Sequence, residues 1–322
     1  MLYKISITHY YLGVGMSIKY DCKRKDITFC TMLFKMPQQS DLNSLKSMNR
    51  KFEEFYLPSL KKMIETFKRV ALWCDKETAE YIKREKLEKY VEVRVMNFKD
   101  LPHYKERAEY LSLLKGMQGN VGYLFHNKTP EQWLDYLMVI LAKPAVMEWA
   151  AKNNFFKTKY FMWIDAGSFH PIYAGFWQDW TGSILAQPER VRITISPTLG
   201  KSRPPFVPNF IYRLYRKALG PIPPATRETL VKQNLKDIAM INADYDVPAC
   251  SILATGDWIH RFYHEFERVR LIMKKHGFVS TEQAVFQAMM KFDVDDMFEL
   301  SYIHGYTGVY AGVAKAKPDC LL

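Results

Sequence analysis

The sequence predicts an α/β protein built on a mostly parallel sheet with helices on both faces. Three observations carry this. Strand-like and helix-like patterns alternate through the first half of the chain. The run "YFMWI" (160–164) shows no polar alternation, as expected of a strand buried on both faces. Asp165 closes that run and is followed by the small Ala166 and Gly167, at the place where open α/β sheets hold their ligands.

Taken in order, "ITFCTMLFKM" (27–36) is rich in β-formers and ends at Pro37. Met48, Phe52, Phe55, Tyr56, Leu60, Met63 and Phe67 then recur at helical spacing, which predicts an amphipathic helix interrupted or kinked at Pro58. "RVALWCD" reads as a second strand, a short polar helix follows, and "YVEVRVMNF" is a third. Parallel neighbours need crossovers, and this βαβαβ order supplies them. "NKTPEQWLDYLMVILAKPAVMEWAAKNN" predicts one helix, with Thr129 as N-cap, Pro130 in the first turn and Gln132 at the capping-box position. Pro144 is expected to kink that helix rather than end it, because the apolar pattern resumes at Val146 and Trp149.

Beyond Gly167 a loop and short strands are expected. The stretch 200–228 holds six of the 16 prolines and reads as a surface excursion. "ACSILATGD" predicts another strand. A helix from Trp258 to about His276 follows, with Phe262, Phe266, Val269 and Met273 on one face, and a further helix opens at Ser280. With no repeat and no linker, a single domain over 1–322 is expected.

Composition narrows the class. A chain of 322 residues, 48% hydrophobic and 15% aromatic, can bury a full core. No stretch approaches the roughly 20 apolar residues of a membrane span, and the start lacks a signal peptide's apolar segment, so a cytoplasmic site of action is expected. The five cysteines are scattered, and Cys30 and Cys74 lie in strand-like runs, so neither a disulfide framework nor a zinc site is expected. A formal charge of +12 attracts nucleotide phosphates, nucleic acid, acidic glycans or lipid headgroups without choosing among them. Most of the lysines, particularly those of "KREKLEK" (83–89), read as a solvated surface that gives solubility. At the strand end, Asp165 is suited to holding a divalent cation against a diphosphate. A turn aspartate capping its own backbone has the same composition.

The block "FKTKYFMWIDAG" (156–167) resembles the bacterial HtrL/YibB (WlaTC-type) family, whose members are read as glycosyltransferases. The resemblance extends from about Ile27 to about Phe298 and includes "EEFYLPSL", "LAKP", "NNFF" and "GFVSTEQAVF". It implies a GT-A fold, with a nucleotide-binding part over about 27–167 and an acceptor and catalytic part over about 168–322. The implied activity is metal-dependent hexosyl or pentosyl transfer, with inversion, from a nucleoside-diphosphate sugar, UDP favoured, to a glycan hydroxyl.

On that resemblance Asp165 would bind Mn²⁺ or Mg²⁺, although Asp-Ala-Gly stands where the fold usually has Asp-x-Asp. His304 is the expected second ligand, ahead of His170. Lys315 and Lys317 would neutralise phosphates, with Ala166 and Gly167 leaving room for them. Phe34, Lys35, Met36 and Asp75 would meet the nucleotide, and Lys143 the donor phosphate or sugar. Glu282 would be the base that accepts the acceptor's proton; alternatively it belongs to a capping box with Ser280 and Gln283. Gly256, Asp257 and Trp258 would bind the acceptor; alternatively Asp257 is an N-cap and Trp258 core. The basic surface also suits peripheral membrane contact. Two other readings stay open: single-stranded nucleic-acid binding through "RPPFVPNFIYRLYRK" (203–217), which is disfavoured because its aromatics fall near helical spacing, and a GT-A fold that binds glycan without turnover.

Overall fold

The computed structural model describes residues 20–36, 51–116, 130–169, 183–186, 191–197, 245–246, 251–279, 281–291 and 297–302. Its centre is a mixed sheet. β2 (Ile27–Leu33), β3 (Val70–Cys74), β4 (Val91–Val95) and β5 (Tyr160–Ile164) run parallel, in the spatial order β4-β3-β2-β5. β9 (Ser251–Thr255) then pairs antiparallel with both β5 and β7 (Val191–Pro197), and β10 (Phe298–Tyr302) pairs parallel with β7. β8 (Tyr245–Asp246) pairs β7 off this path, and β1 (Tyr20–Lys23) with β6 (Ser183–Ala186) makes a separate antiparallel ribbon. The expected α/β class, a sheet flanked by helices on both faces, is the one observed, with β9 making the mostly parallel sheet a mixed one. Strands from both halves of the chain share one sheet.

The run without alternation is buried on both faces: all five residues of β5 are buried. Tyr160, Met162 and Ile164 point to the face covered by α1 (Leu57–Phe67) and α2 (Lys76–Arg84). Phe161 and Trp163 point to the other, packed by α3 (Arg107–Gly116), α4 (Pro130–Leu141), α5 (Lys143–Asn153), α6 (Gly256–Lys275) and α7 (Glu282–Lys291). On α6 the expected Phe262, Phe266, Val269 and Met273 are all buried. Arg270 of the same helix, 5% exposed, binds Glu106 at 3.0 Å and Glu267 at 2.7 Å, which ties α6 to the turn before α3.

Both helix-breaking prolines have local consequences. Residues 52–56 form a π turn, closed by the Leu57 N–H on the Phe52 carbonyl, and Pro58 stands in the first turn of α1, so the expected kink is a π-to-α junction. Pro144 does more than kink: α4 ends at Leu141, Ala142 intervenes, and α5 begins at Lys143 with the proline in its first turn. The pyrrolidine has no N–H and crowds the carbonyl four residues back, so the ladder stops and a new helix starts. Cys30 and Cys74 are buried free thiols, as expected. Thr129, Ser280 and the stretch 200–228 lie outside the described residues.

After Asp165 the chain makes a 3-10 turn, Ala166–Phe169, fastened to α1 by one hydroxyl. Ser59 Oγ donates to the Ala166 carbonyl at 2.6 Å and accepts from the Phe169 N–H at 2.9 Å. Ser59 is 2% exposed, so removing its hydroxyl takes a hydrogen-bond partner from two buried backbone groups. We expect Ser59→Ala to lose about 1–3 kcal/mol of stability. Urea unfolding followed by circular dichroism measures this, and an unchanged midpoint would contradict it.

Candidate functional site

The pleat decides where Asp165 points. It continues the phase of Phe161 and Trp163, toward the face where α5 and α7 begin. Trp163 Nε1 donates to its Oδ1 at 2.8 Å, and Lys143 Nζ lies 3.1 Å from the same oxygen. The other side of that ammonium meets Glu282 Oε1 at 2.8 Å. Lys143 also sits 5.6 Å from the centre of the Trp163 ring, a cation-π contact. One cation therefore stands between two carboxylates at the carboxyl end of β5.

The environment of the three groups is graded. The Lys143 and Glu282 side chains are 6% and 3% exposed, whereas Asp165 keeps 40% of its surface. Burial alone would push the Lys143 pKa down, but the charges of Asp165 and Glu282 more than reverse that and hold it above its ordinary value. Burial raises the Glu282 carboxyl above its ordinary value; Lys143 opposes the rise and Asp165 adds to it. Glu282 opens α7, where the helix dipole favours an acid. Lys143 opens α5, where the dipole disfavours a cation, so the carboxylates have to hold it there.

Several expected residues share this edge of the sheet, because β2, β3 and β5 are parallel. Phe34, Lys35 and Met36 follow β2, and Asp75 follows β3. Phe34 is 3% exposed and packs edge-on to Phe98, so its ring lies within the core. Lys35 Nζ is held by Glu53 at 2.9 Å and Glu77 at 2.8 Å. Asp75 caps α2 through the Thr78 N–H and also accepts the Lys35 N–H. Ala166 is buried. The expected room at Gly167 is filled: a Cβ there would lie 3.0 Å from Phe55 Cε1 and 3.3 Å from Tyr56 Cε1, so the glycine admits the aromatic rings of the π turn.

Gly256, Asp257 and Trp258 are not brought to this edge. β9 is antiparallel to β5, with Tyr160 opposite Thr255 and Ile164 opposite Ser251. The turn after Thr255 therefore lies at the start of β5, about 16 Å along the strand from Asp165. Nor is Asp257 the N-cap; Thr255 is, and Asp257 lies exposed in the first turn. Trp258 is partly buried, with Arg261 over its ring at 4.9 Å. His170, His304, Lys315, Lys317 and the stretch 203–217 lie outside the described residues.

Trp163 and Tyr136 were not singled out by the sequence. Trp163 was visible only as strand bulk, although an indole two residues before the aspartate shares its face. Tyr136 is partly buried on α4, and burial followed by the Glu282 charge pushes its phenol up. At Asp165 the described residues offer one carboxylate, with one oxygen committed to an ammonium and an indole. By themselves they do not fit Mn²⁺ or Mg²⁺, which require several oxygen ligands. Among the described residues, the group of side chains that could hold a metal is Glu148, His260 and His264, at the other end of the sheet. No helix among the described residues is long and apolar enough to cross a membrane.

No family model matches this chain, and no curated protein matches it. Solved structures to which it is similar include mouse xyloside xylosyltransferase 1 in its apo form, at 10% identity over 85% of this chain and 84% of that one, TM-score 0.35. Core-mannan synthase A from Aspergillus fumigatus in its Mn/GDP form gives 10% identity over 85% and 72%, TM-score 0.36. The 4-diphosphocytidyl-2C-methyl-D-erythritol synthase from Anaerococcus prevotii gives 10% over 91% and 93%, TM-score 0.36. These likenesses transfer no role to any residue, and the family resemblance remains one of sequence.

The buried trio makes stability depend on pH once the cation is removed. In Lys143→Met, Glu282 is left buried without its partner, and we expect a loss of about 3–5 kcal/mol. A carboxyl whose folded pKa lies above the ordinary 4.5 stabilises the protein at low pH and loses that contribution as pH rises. The variant should therefore lose stability steadily from about pH 5 to pH 8, and Lys143→Met/Glu282→Gln should flatten the curve. Urea midpoints across this pH range measure the effect; parallel curves for the two variants would contradict it.

Proposed function

We propose that the chain is a glycosyltransferase that uses a nucleoside-diphosphate sugar, UDP favoured, with a glycan hydroxyl as acceptor and Glu282 as base. The observation that carries this reading is the convergence of Asp165, Lys143 and Glu282 at the carboxyl end of the central strand. Brought together there are a half-exposed acid at the end of the sheet where α/β folds hold ligands, a buried cation that holds both acids, and a carboxylate made more basic by burial. The family resemblance of "FKTKYFMWIDAG" points the same way.

The acceptor oxygen forms its bond to the anomeric carbon as its proton passes to the Glu282 carboxylate. The bond from that carbon to the diphosphate breaks on the opposite face, and its electron pair leaves with the diphosphate. Lys143 keeps Glu282 ionised despite burial, which a base requires, while the burial keeps it basic. Asp165 holds Lys143 from the other side and presents its open edge to the donor. Mn²⁺ or Mg²⁺, where bound, would supply charge neutralisation on the leaving diphosphate. It needs ligands beyond the described residues, with His304 the expected one, so no step here is routed through it. Gly256, Asp257 and Trp258 are given no acceptor role, because they lie at the far end of the sheet.

The test is a nucleotide-sugar screen that follows UDP and GDP release, with and without Mn²⁺, for the native chain, Asp165→Ala and Glu282→Gln. The expected result is turnover of one donor, lost in Asp165→Ala. In Glu282→Gln we expect kcat to fall by about 10²–10⁴ with KM little changed. Turnover equal to native in Glu282→Gln would remove it as the base. Absence of both turnover and nucleotide binding would overturn the whole reading.

A further inference from the structure

The amino end of the sheet carries a second constellation, separate from the trio. Glu148 stands on α5, and His260 and His264 stand four residues apart on α6, the spacing that places two side chains on one helix face. Glu148 Oε1 lies 2.8 Å from His260 Nδ1, and the two imidazole rings are centred 4.4 Å apart. One donor atom from each of the three residues falls within 4.8 Å of the other two. The helices that carry them approach closely because small residues face each other: a Cβ at Gly256 would lie 3.9 Å from Ala151 Cβ.

We infer that Glu148, His260 and His264 form a binding site for a zinc-class divalent cation, with its remaining coordination position open to solvent. Two imidazoles and one carboxylate select zinc, copper or nickel over magnesium and calcium, which prefer oxygen throughout. Zinc bonds of about 2.0–2.2 Å in a tetrahedral arrangement set donor atoms about 3.4 Å apart. Both histidines are exposed, so rotation of their side chains closes the present spacing. His260 would ligate through an imidazole nitrogen that carries no proton, and the metal would replace its contact with Glu148. The site proposed is one of metal binding.

The open position faces a cleft of about 670 Å³ lined by Glu148 and His260 and also by Asp257, Lys152 and Lys159. Asp257, exposed in the first turn of the same helix, contributes an acid to the wall of that cleft. The scattered cysteines, from which no zinc site is expected, carry no hint of this cluster. The signal was His260-x-x-x-His264 within a helix, which needs a third ligand from elsewhere in the fold.

The test uses the full chain, stripped with chelator and titrated with Zn²⁺ alone by calorimetry, together with thermal unfolding at each metal level. We expect one Zn²⁺ per chain at the cluster and a rise in Tm on binding. His264→Ala and Glu148→Gln should each weaken that binding by at least about 10-fold. Asp165→Ala should leave it unchanged, which separates this site from the carboxyl edge. Lack of zinc binding, unaltered binding in His264→Ala and Glu148→Gln, or loss of binding in Asp165→Ala would each overturn the assignment. His264 is exposed, so its alanine variant is expected to fold, and circular dichroism checks that directly.

Discussion

The ammonium of Lys143 sets the constraint that orders the carboxyl end of the sheet. A buried lysine is tolerable only when charged partners replace its lost water, and here they come from two distant places in the chain, Asp165 and Glu282. The start of α5, the end of β5 and the start of α7 are therefore locked to one another by a single cation. Removing it leaves a buried carboxylate with no compensating charge, whereas replacing the whole trio by apolar groups would cost far less.

Alternation along β5 explains why the trio forms where it does. Residues 160, 162 and 164 pack under α1 and α2, and residues 161 and 163 pack under α4 to α7. Asp165 falls in the second set, so its carboxylate meets the two helix starts on that face. A one-residue shift of register would turn Asp165 toward α1 and separate it from both partners. The chain then crosses to the α1 face within one turn, where Ser59 fastens it. Gly167 is small because Phe55 and Tyr56 already occupy the space that a side chain would need.

Local patterns made the fold readable. The unbroken apolar runs identified β2, β3 and β5, and the periodic positions identified the buried faces of α1 and α6, because burial on one or two faces writes a period into the residues. The strand end of Asp165 was legible for the same reason. The reading failed where a local pattern had two physical outcomes. Pro144 within a continuing apolar pattern fits a kink or a fresh helix start, and only packing decides between them. The direction of β9 was not readable, since an apolar strand looks alike run either way, and with it went the placement of Gly256, Asp257 and Trp258. The partners of Lys143 were also hidden as partners, since Asp165 lies beyond a whole helix and Glu282 in the other half of the chain, and such contacts leave no trace in either local pattern.

The reversal of β9 against β5 and β7 gives the sheet two different ends. Parallel neighbours collect Lys35, Asp75 and Asp165 at the carboxyl edge, while β9 delivers its following turn and the start of α6 to the amino edge. α5 links the two. Its 11 residues span about 16 Å at a helical rise of about 1.5 Å each, the same length as β5, which it precedes. Asn154, in the left-handed conformation at φ 41°, ends the helix and turns the chain back, binding Thr158 through both its amide oxygen and its amide nitrogen. α5 therefore begins with Lys143 between the two acids, carries Glu148 about 7 Å further along its axis, and finishes beside the start of β5. A helix is stiff over two or three turns, so whatever clamps Glu148 against α6 also restrains the end that holds Lys143. The two edges are connected by a rod of fixed length, and its position is set from both ends.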